Sequence, residues 1–319
     1  MITGWIPDPV ATSQLCEDLA RHGHEPLFGA AYPKLNGFWG DLVHRGCTGV
    51  FLWEWEQDLL GHRTTTDYQL AGKDPGTCVS RGTHRAVQDS LGNAIRRGRI
   101  VGKPCEIAYE PIYGGGRVRI GRGQLGSGGG MVGAWAARYV REVGVVERGH
   151  YGPLDLTSSR EDLATEWGMP GRGTPQEIES VSHPVKAIHL AMTVDNLMDC
   201  TAAQFGSAQC STWLFGARDR NGMSRYAGPT AHCEAVRGVF VRQDGGFGFV
   251  RQQSWGENQP QGPQTLRYAG GEIQLPPGCY GVTVEDMQQV MQTGETWVIG
   301  YPETIRPAKA SDFVKGTSV

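Results

Sequence analysis

An α+β fold, helices first and strands after, is what this 319-residue sequence predicts. Three observations lead there. Two long stretches of the first half repeat apolar residues at the helical period. The second half alternates apolar and polar residues in short runs bounded by turn signals. The two patterns occupy separate halves and do not interleave as βαβ units would.

The elements follow in order. "SQLCEDLARHG" sets Leu15, Cys16, Leu19 and Ala20 on one face of a short helix, and "GVFLWEWEQ" reads as core. From Cys78 to Arg97, the residues Val79, Ala86, Val87, Leu91, Ala94 and Ile95 recur near every 3.6 positions. Thr77 is the expected N-cap of that helix and Gly98 its stop. A second helix over about 132–143 carries the stripe Val132, Trp135, Ala136, Tyr139, Val140 and Val143. Two capping boxes, Ser158 with Glu161 and Thr174 with Glu177, are expected to open short helices at about 159–167 and 175–181. Another short helix is expected at 196–204. "VKAIHLAMTV" and "AQCSTWLF" are strand-like, and "AVRGVFVRQDGGFGFVRQQSW" reads as a hairpin turning at Asp244-Gly245. A helix at 284–293 and a strand in "GETWVIGYP" complete the pattern.

Hydrophobic residues make up 39% of the chain, enough for a sizeable core. A net charge of −3 and a pI near 6.3 give no ground for nucleic acid or an anionic membrane as partner. "MITGWIPDPVATSQ" has neither a basic nor an apolar leader region, and no apolar run reaches membrane-spanning length, so a cytoplasmic or virion-associated protein is expected. The eight cysteines form no CxxC pair, so no zinc site is expected, and no other metal or cofactor. Gly121-x-Gly123-x-x-Gly126 follows a strand-like "RVRI" and imitates a dinucleotide fingerprint, with Glu147 near the position of a ribose-binding acid. Gly128, Gly129 and Gly130 interrupt it where the helix should already run, at about 1 kcal/mol each against alanine. The better reading is a glycine-rich loop that lets another group approach its backbone.

Cys78 opens a helix, where the N-terminal dipole favours a thiolate. A nucleophile there needs an imidazole and a third group to orient it. Of nine histidines, His232 begins a strand, and the hairpin it opens returns through "VRQQSWGEN". Gln253 is expected across from His232, its side-chain oxygen accepting from the ring N–H, with Trp255 shielding that bond. Asn258, past the tryptophan, is a poorer substitute.

"GTCVSRG", "AHCEAV" and "QSWGEN" stand in the order found in papain-like (C1-type) cysteine peptidases, and the last is similar to that family's Asn-Ser-Trp-Gly. "YEPIYGGGRVRIG", "GAWAARYVREVGVVERGHYG" and "HPVKAI" resemble uncharacterised papain-like proteins of bacteriophages and planctomycetes. The resemblance spans about residues 65–302. It implies a two-lobe fold over 61–319: a helical lobe at 61–184 and a β-barrel-like lobe at 185–319, preceded by an extension at 1–60. The site would lie in the cleft between the lobes. Cys78 would be the nucleophile, His232 its partner and Gln253 the orienting residue. Gln69 would join the Cys78 N–H in stabilising the oxyanion. Gly129 and Gly130 would let substrate backbone lie in the cleft, close to Trp255.

The sequence departs from the family at several points. Gln253 is one methylene longer than the usual Asn, and Val79 replaces an aromatic residue. Gln69 lies further from the cysteine than the family's glutamine. Pro75 and Ser127 stand at both positions of a disulfide found in secreted members, which fits a reducing environment. No inhibitory pro-segment is recognisable in residues 1–60. The expected activity is hydrolysis of a peptide or isopeptide bond in a peptide or protein substrate. Two alternatives keep the scaffold: a non-catalytic, virion-associated structural protein that assembles with other virion proteins, and a cell-wall peptide amidase with the same triad.

Overall fold

The computed structural model describes residues 4–64, 69, 76–185, 187–256 and 259–300; Pro75 and Asn258 lie outside them. Helix α1 is Pro9–Arg21, with the Asp8 carboxylate accepting from Ala11 N as its cap. Helix α2 is Cys78–Arg96 and α3 is Gly133–Glu142, both close to their expected bounds.

The main sheet has seven strands: β1 Gly49–Phe51, β2 Ala187–Leu190, β3 Gly206–Phe215, β4 Tyr226–Val241, β5 Phe247–Gln252, β6 Cys279–Thr283 and β7 Glu295–Gly300. Their order is β6-β5-β4-β3-β7-β2, with β1 added against β4, and every pairing is antiparallel. The expected hairpin is β4–β5, and Gly245 takes φ +87° in its turn. Helices on one side and an antiparallel sheet on the other make the α+β, two-lobe arrangement the sequence predicts. Residues 4–60 are woven into both lobes. α1 packs on α3, β1 extends the sheet, and the Trp55 indole donates to Asp89 of α2.

α2 is buried on nearly every side, yet it carries Arg81, His84, Arg85, Gln88 and Asp89. Buried charges must be paired, and these are. Arg81 meets Glu161 at 2.6 Å, Asp89 meets Arg237 at 2.6 Å and Arg85 meets Glu56 at 3.5 Å. This pairing displaces the expected caps. The Thr77 hydroxyl makes no capping bond to α2; it donates to Glu161 and accepts from Arg81 Nε. Glu161 serves Arg81, Thr77 and Tyr109 rather than a capping box, and Thr174 donates to Pro111 O. The helices Glu161–Trp167 and Gln176–Glu179 form without those boxes. "RVRI" is also not a strand. Gly116–Ile120 continues the helix Glu110–Gly115 as a widened turn, so no strand precedes the glycines.

Two glycines set how closely α2 lies on the sheet. A Cβ at Gly82 would lie 3.0 Å from Cys233 Sγ on β4, and one at Gly206 of β3 would run into the Ala86 carbonyl. Gly206→Ala is therefore expected to destabilise the chain by about 1–3 kcal/mol through overpacking. Urea denaturation reads this directly, and an unchanged midpoint would contradict it.

Candidate active site

Cys78 is the first residue of α2, and its side chain is buried. Because Gly82, one turn on, sits against Cys233, the start of α2 falls beside the strand residues before Cys233. Gly4 marks the meeting point. A Cβ there would overlap Ala231 O and lie 3.5 Å from Cys78 Sγ, so the thiol and the residue preceding His232 flank one point. Gln69 is held nearby. Its Nε2 donates to Thr77 Oγ1 at 3.4 Å, its backbone N donates to Ser254 O at 2.8 Å, and its Oε1 accepts from Ser254 Oγ at 2.7 Å.

His232 lies on β4 opposite Ser211, with its ring stacked on Trp255 at 4.0 Å between centroids and 22° between planes. Burial, aided by the charge of Arg251, pushes the imidazole down to about 3 and keeps it neutral at neutral pH. Its Nε2 is buried without a hydrogen-bond partner.

The expected contact from Gln253 is not made. The β4–β5 register pairs Ala235 with Gln252, so extending it sets Trp255, not Gln253, level with His232. The Gln253 carboxamide is engaged elsewhere: Nε2 donates to Gly256 O at 3.2 Å and to Gln259 O, and Oε1 accepts from Trp255 N. Gln253 thus braces the turn that carries Trp255. The group facing His232 Nε2 is Glu234, whose Oε1 lies 3.8 Å away. The sequence did carry a signal for it in "HCE", because residues two apart on a strand share a face.

Across the cleft, the glycine-rich loop is pinned by Arg117. Its guanidinium donates to Gly168 O and Gly126 O, each at 3.0 Å, and to the carbonyls of Gly128 and Gly130. Between this loop and β4 runs the N-terminal segment. Trp5 N donates to Ala231 O at 3.2 Å on one side; Ile6 N donates to Met131 O and Met131 N to Gly4 O, both at 3.0 Å, on the other. Gly130 takes φ +90°, and a Cβ there would collide with Gly4 O, so this residue must be glycine. Met131, rather than Gly129, provides the main-chain pairing. The Trp5 indole is buried and donates to Glu295 Oε1 at 3.0 Å; Glu295 also accepts from Thr12 Oγ1 at 2.7 Å and Trp297 Nε1 at 2.8 Å. Three residues carry no periodicity, so no local pattern signals a segment over the site. Among the described residues no group of three or more His, Cys, Asp or Glu could hold a metal.

No family model matches this chain, and no curated protein matches it. Solved structures do. Xylellain, a cysteine protease from Xylella fastidiosa, superposes with a TM-score of 0.52 at 14% identity, over 80% of this chain and 86% of that one. A Carica candamarcensis cysteine protease solved with E-64 gives 0.46 at 13% identity, over 80% and 99%. The Amb a 11 cysteine protease of ragweed pollen, in its proform, gives 0.47 at 15% identity, over 80% and 65%. The first likeness shows the fold: a papain-like, two-lobe α+β architecture.

Two measurements probe this geometry. Trp5→Ala is expected to speed alkylation of Cys78 at least about tenfold, since a loss of only 1.4 kcal/mol in closure suffices; an unchanged rate would show that the segment does not cover the thiol. The second concerns acid stability. The folded imidazole titrates near 3 and the unfolded one near 6.5, so the unfolded chain binds the extra proton between these values. The stability due to neutral His232 is then complete above about pH 6.5 and is lost as pH falls towards 3. His232→Gln should flatten that part of the stability–pH curve, and an identical slope in the variant would refute the assignment.

Proposed function

We propose that this chain is a thiol hydrolase of peptide or isopeptide bonds, working through Cys78 and His232. One observation carries the reading. The cleft already holds an extended peptide segment, bonded through its main chain to both walls and lying against the thiol. A peptide substrate needs the same contacts, from Ala231 O on the β side and from the Gly129–Met131 loop on the other.

In the reaction, Cys78 Sγ attacks the carbonyl carbon while His232 takes the thiol proton. The C–N bond breaks, the imidazolium gives its proton to the leaving amine, and water then hydrolyses the thioester. The Cys78 N–H, at a helix N-terminus, and Gln69 Nε2 would stabilise the oxyanion, the latter by leaving Thr77 Oγ1 for the substrate. Trp255 covers one face of His232. In this reading the described parts of a helical lobe (61–184) and a β-rich lobe (185–319) would supply the two walls. Among the described residues no helix is long and apolar enough to cross a membrane.

In this reading the covered chain is latent, so activity is measured on the Trp5→Ala variant with a peptide library and peptidoglycan fragments in parallel. His232→Ala is expected to lower turnover about 10²–10⁴-fold and Gln69→Ala about 10²–10³-fold. Cleavage confined to peptidoglycan fragments would favour the cell-wall amidase. An ordinary thiol profile for Cys78, centred near pH 8.5 and indifferent to His232→Ala, would favour the non-catalytic virion component.

A further inference from the structure

We infer that Glu234 is the positioning residue for His232, holding the ring by accepting a hydrogen bond from Nε2 so that Nδ1 is left for the thiol. The inference rests on the hydrolase reading above and replaces the glutamine that the sequence resemblance put in this role.

The geometry supports it from three sides. Glu234 and His232 are two residues apart on β4, so their side chains leave the same face of the sheet. Nε2 is a buried donor position without a partner, and such an atom is costly unless a partner can reach it. The nearest carboxylate oxygen to it is Glu234 Oε1, at 3.8 Å. The other oxygen, Oε2, is fixed: it pairs with Arg251 Nε at 2.9 Å and accepts from the Tyr280 hydroxyl. Oε1 is therefore the oxygen left to turn towards the ring. A cavity of about 370 Å³, lined by Glu234, Trp255, Gln253 and Tyr280, gives the carboxylate room for the shift. That shift is roughly 1 Å, from the present separation to a charge-assisted bond of about 2.8 Å.

The chemistry needs this group. When Cys78 gives its proton to Nδ1, a positive ring forms in a site that burial and Arg251 make hostile to positive charge. A carboxylate at Nε2 offsets that cost, as it does in other acid–base–nucleophile arrangements. Burial raises the Glu234 carboxyl above the usual carboxylate range, and Arg251 and the Tyr280 hydroxyl offset only part of that rise. Gln253 supplies no charge, and its amide is committed to the Trp255 turn.

The test uses the full chain. The ¹⁵N-histidine spectrum, with His232 assigned from a His232→Gln spectrum, reports the proton on Nε2, and alkylation of Cys78 across pH reports the pair. Glu234→Gln is expected to move the Nε2 proton signal upfield and to slow alkylation near pH 6 roughly tenfold or more, the effect of one pKa unit. If Glu234→Gln does not fold, Glu234→Asp keeps the charge beside Arg251 but withdraws it from the ring, and the same upfield shift is expected. The inference is overturned if Glu234→Gln, or Glu234→Asp in its place, leaves the Nε2 signal unmoved. The hydrolase reading fails separately: alkylation indifferent to His232→Ala would remove it, while the Nε2 signal would still decide which residue holds the ring.

Discussion

Everything at the site depends on how closely α2 lies against the sheet. A helix normally stands off a sheet by the length of its side chains. Here Gly82 meets Cys233, and Gly206 admits the carbonyl of Ala86, so backbone approaches backbone. That contact fixes the first residue of α2 relative to β4, and so fixes Cys78 relative to the strand that carries His232. The thiol's place is set in part by what a Cβ would forbid one and two turns away.

Close packing on all sides buries the polar face of α2 as well. The fold answers with ion pairs that cross between elements: Arg237 of β4 spans Asp89 of α2 and Glu56, and Arg81 reaches Glu161. Buried pairs of this kind contribute little net stability but are costly to break from one side. They lock α2 in register with β4 and with the helix that begins at Glu161. The same demand for partners explains why Thr77 and Glu161, plausible caps in isolation, do not cap.

Much of this was legible in the sequence. The periodicity of α2 and α3, the β4–β5 turn at Asp244-Gly245 and the order of the Cys, His and Trp stretches all follow from local patterns. Cys78, His232 and Trp255 come from those patterns directly. Gln253 was misplaced by two residues of strand register, which flips nothing to the other face but changes which side chain stands opposite. Glu234 was overlooked because an acidic residue in a strand reads as solvent-facing until the sheet shows that both faces are covered. The covering segment at residues 4–6 was illegible for a different reason: its bonds are main-chain bonds, and only Trp5 leaves a trace in the side chains.

On the proposed reading, the site is latent. The imidazole is neutral while covered, the thiol is shielded, and an extended segment occupies the place of a substrate. In the proposed reading, opening that segment exposes Cys78 as a nucleophile beside His232 as its base. The most direct measurement is intact mass of the Trp5→Ala chain, quenched in acid during turnover of a peptide ester. An acyl group is expected on Cys78, absent in Cys78→Ala and greatly reduced in His232→Ala. An acyl adduct that forms equally well without His232, or no adduct at all, would contradict it.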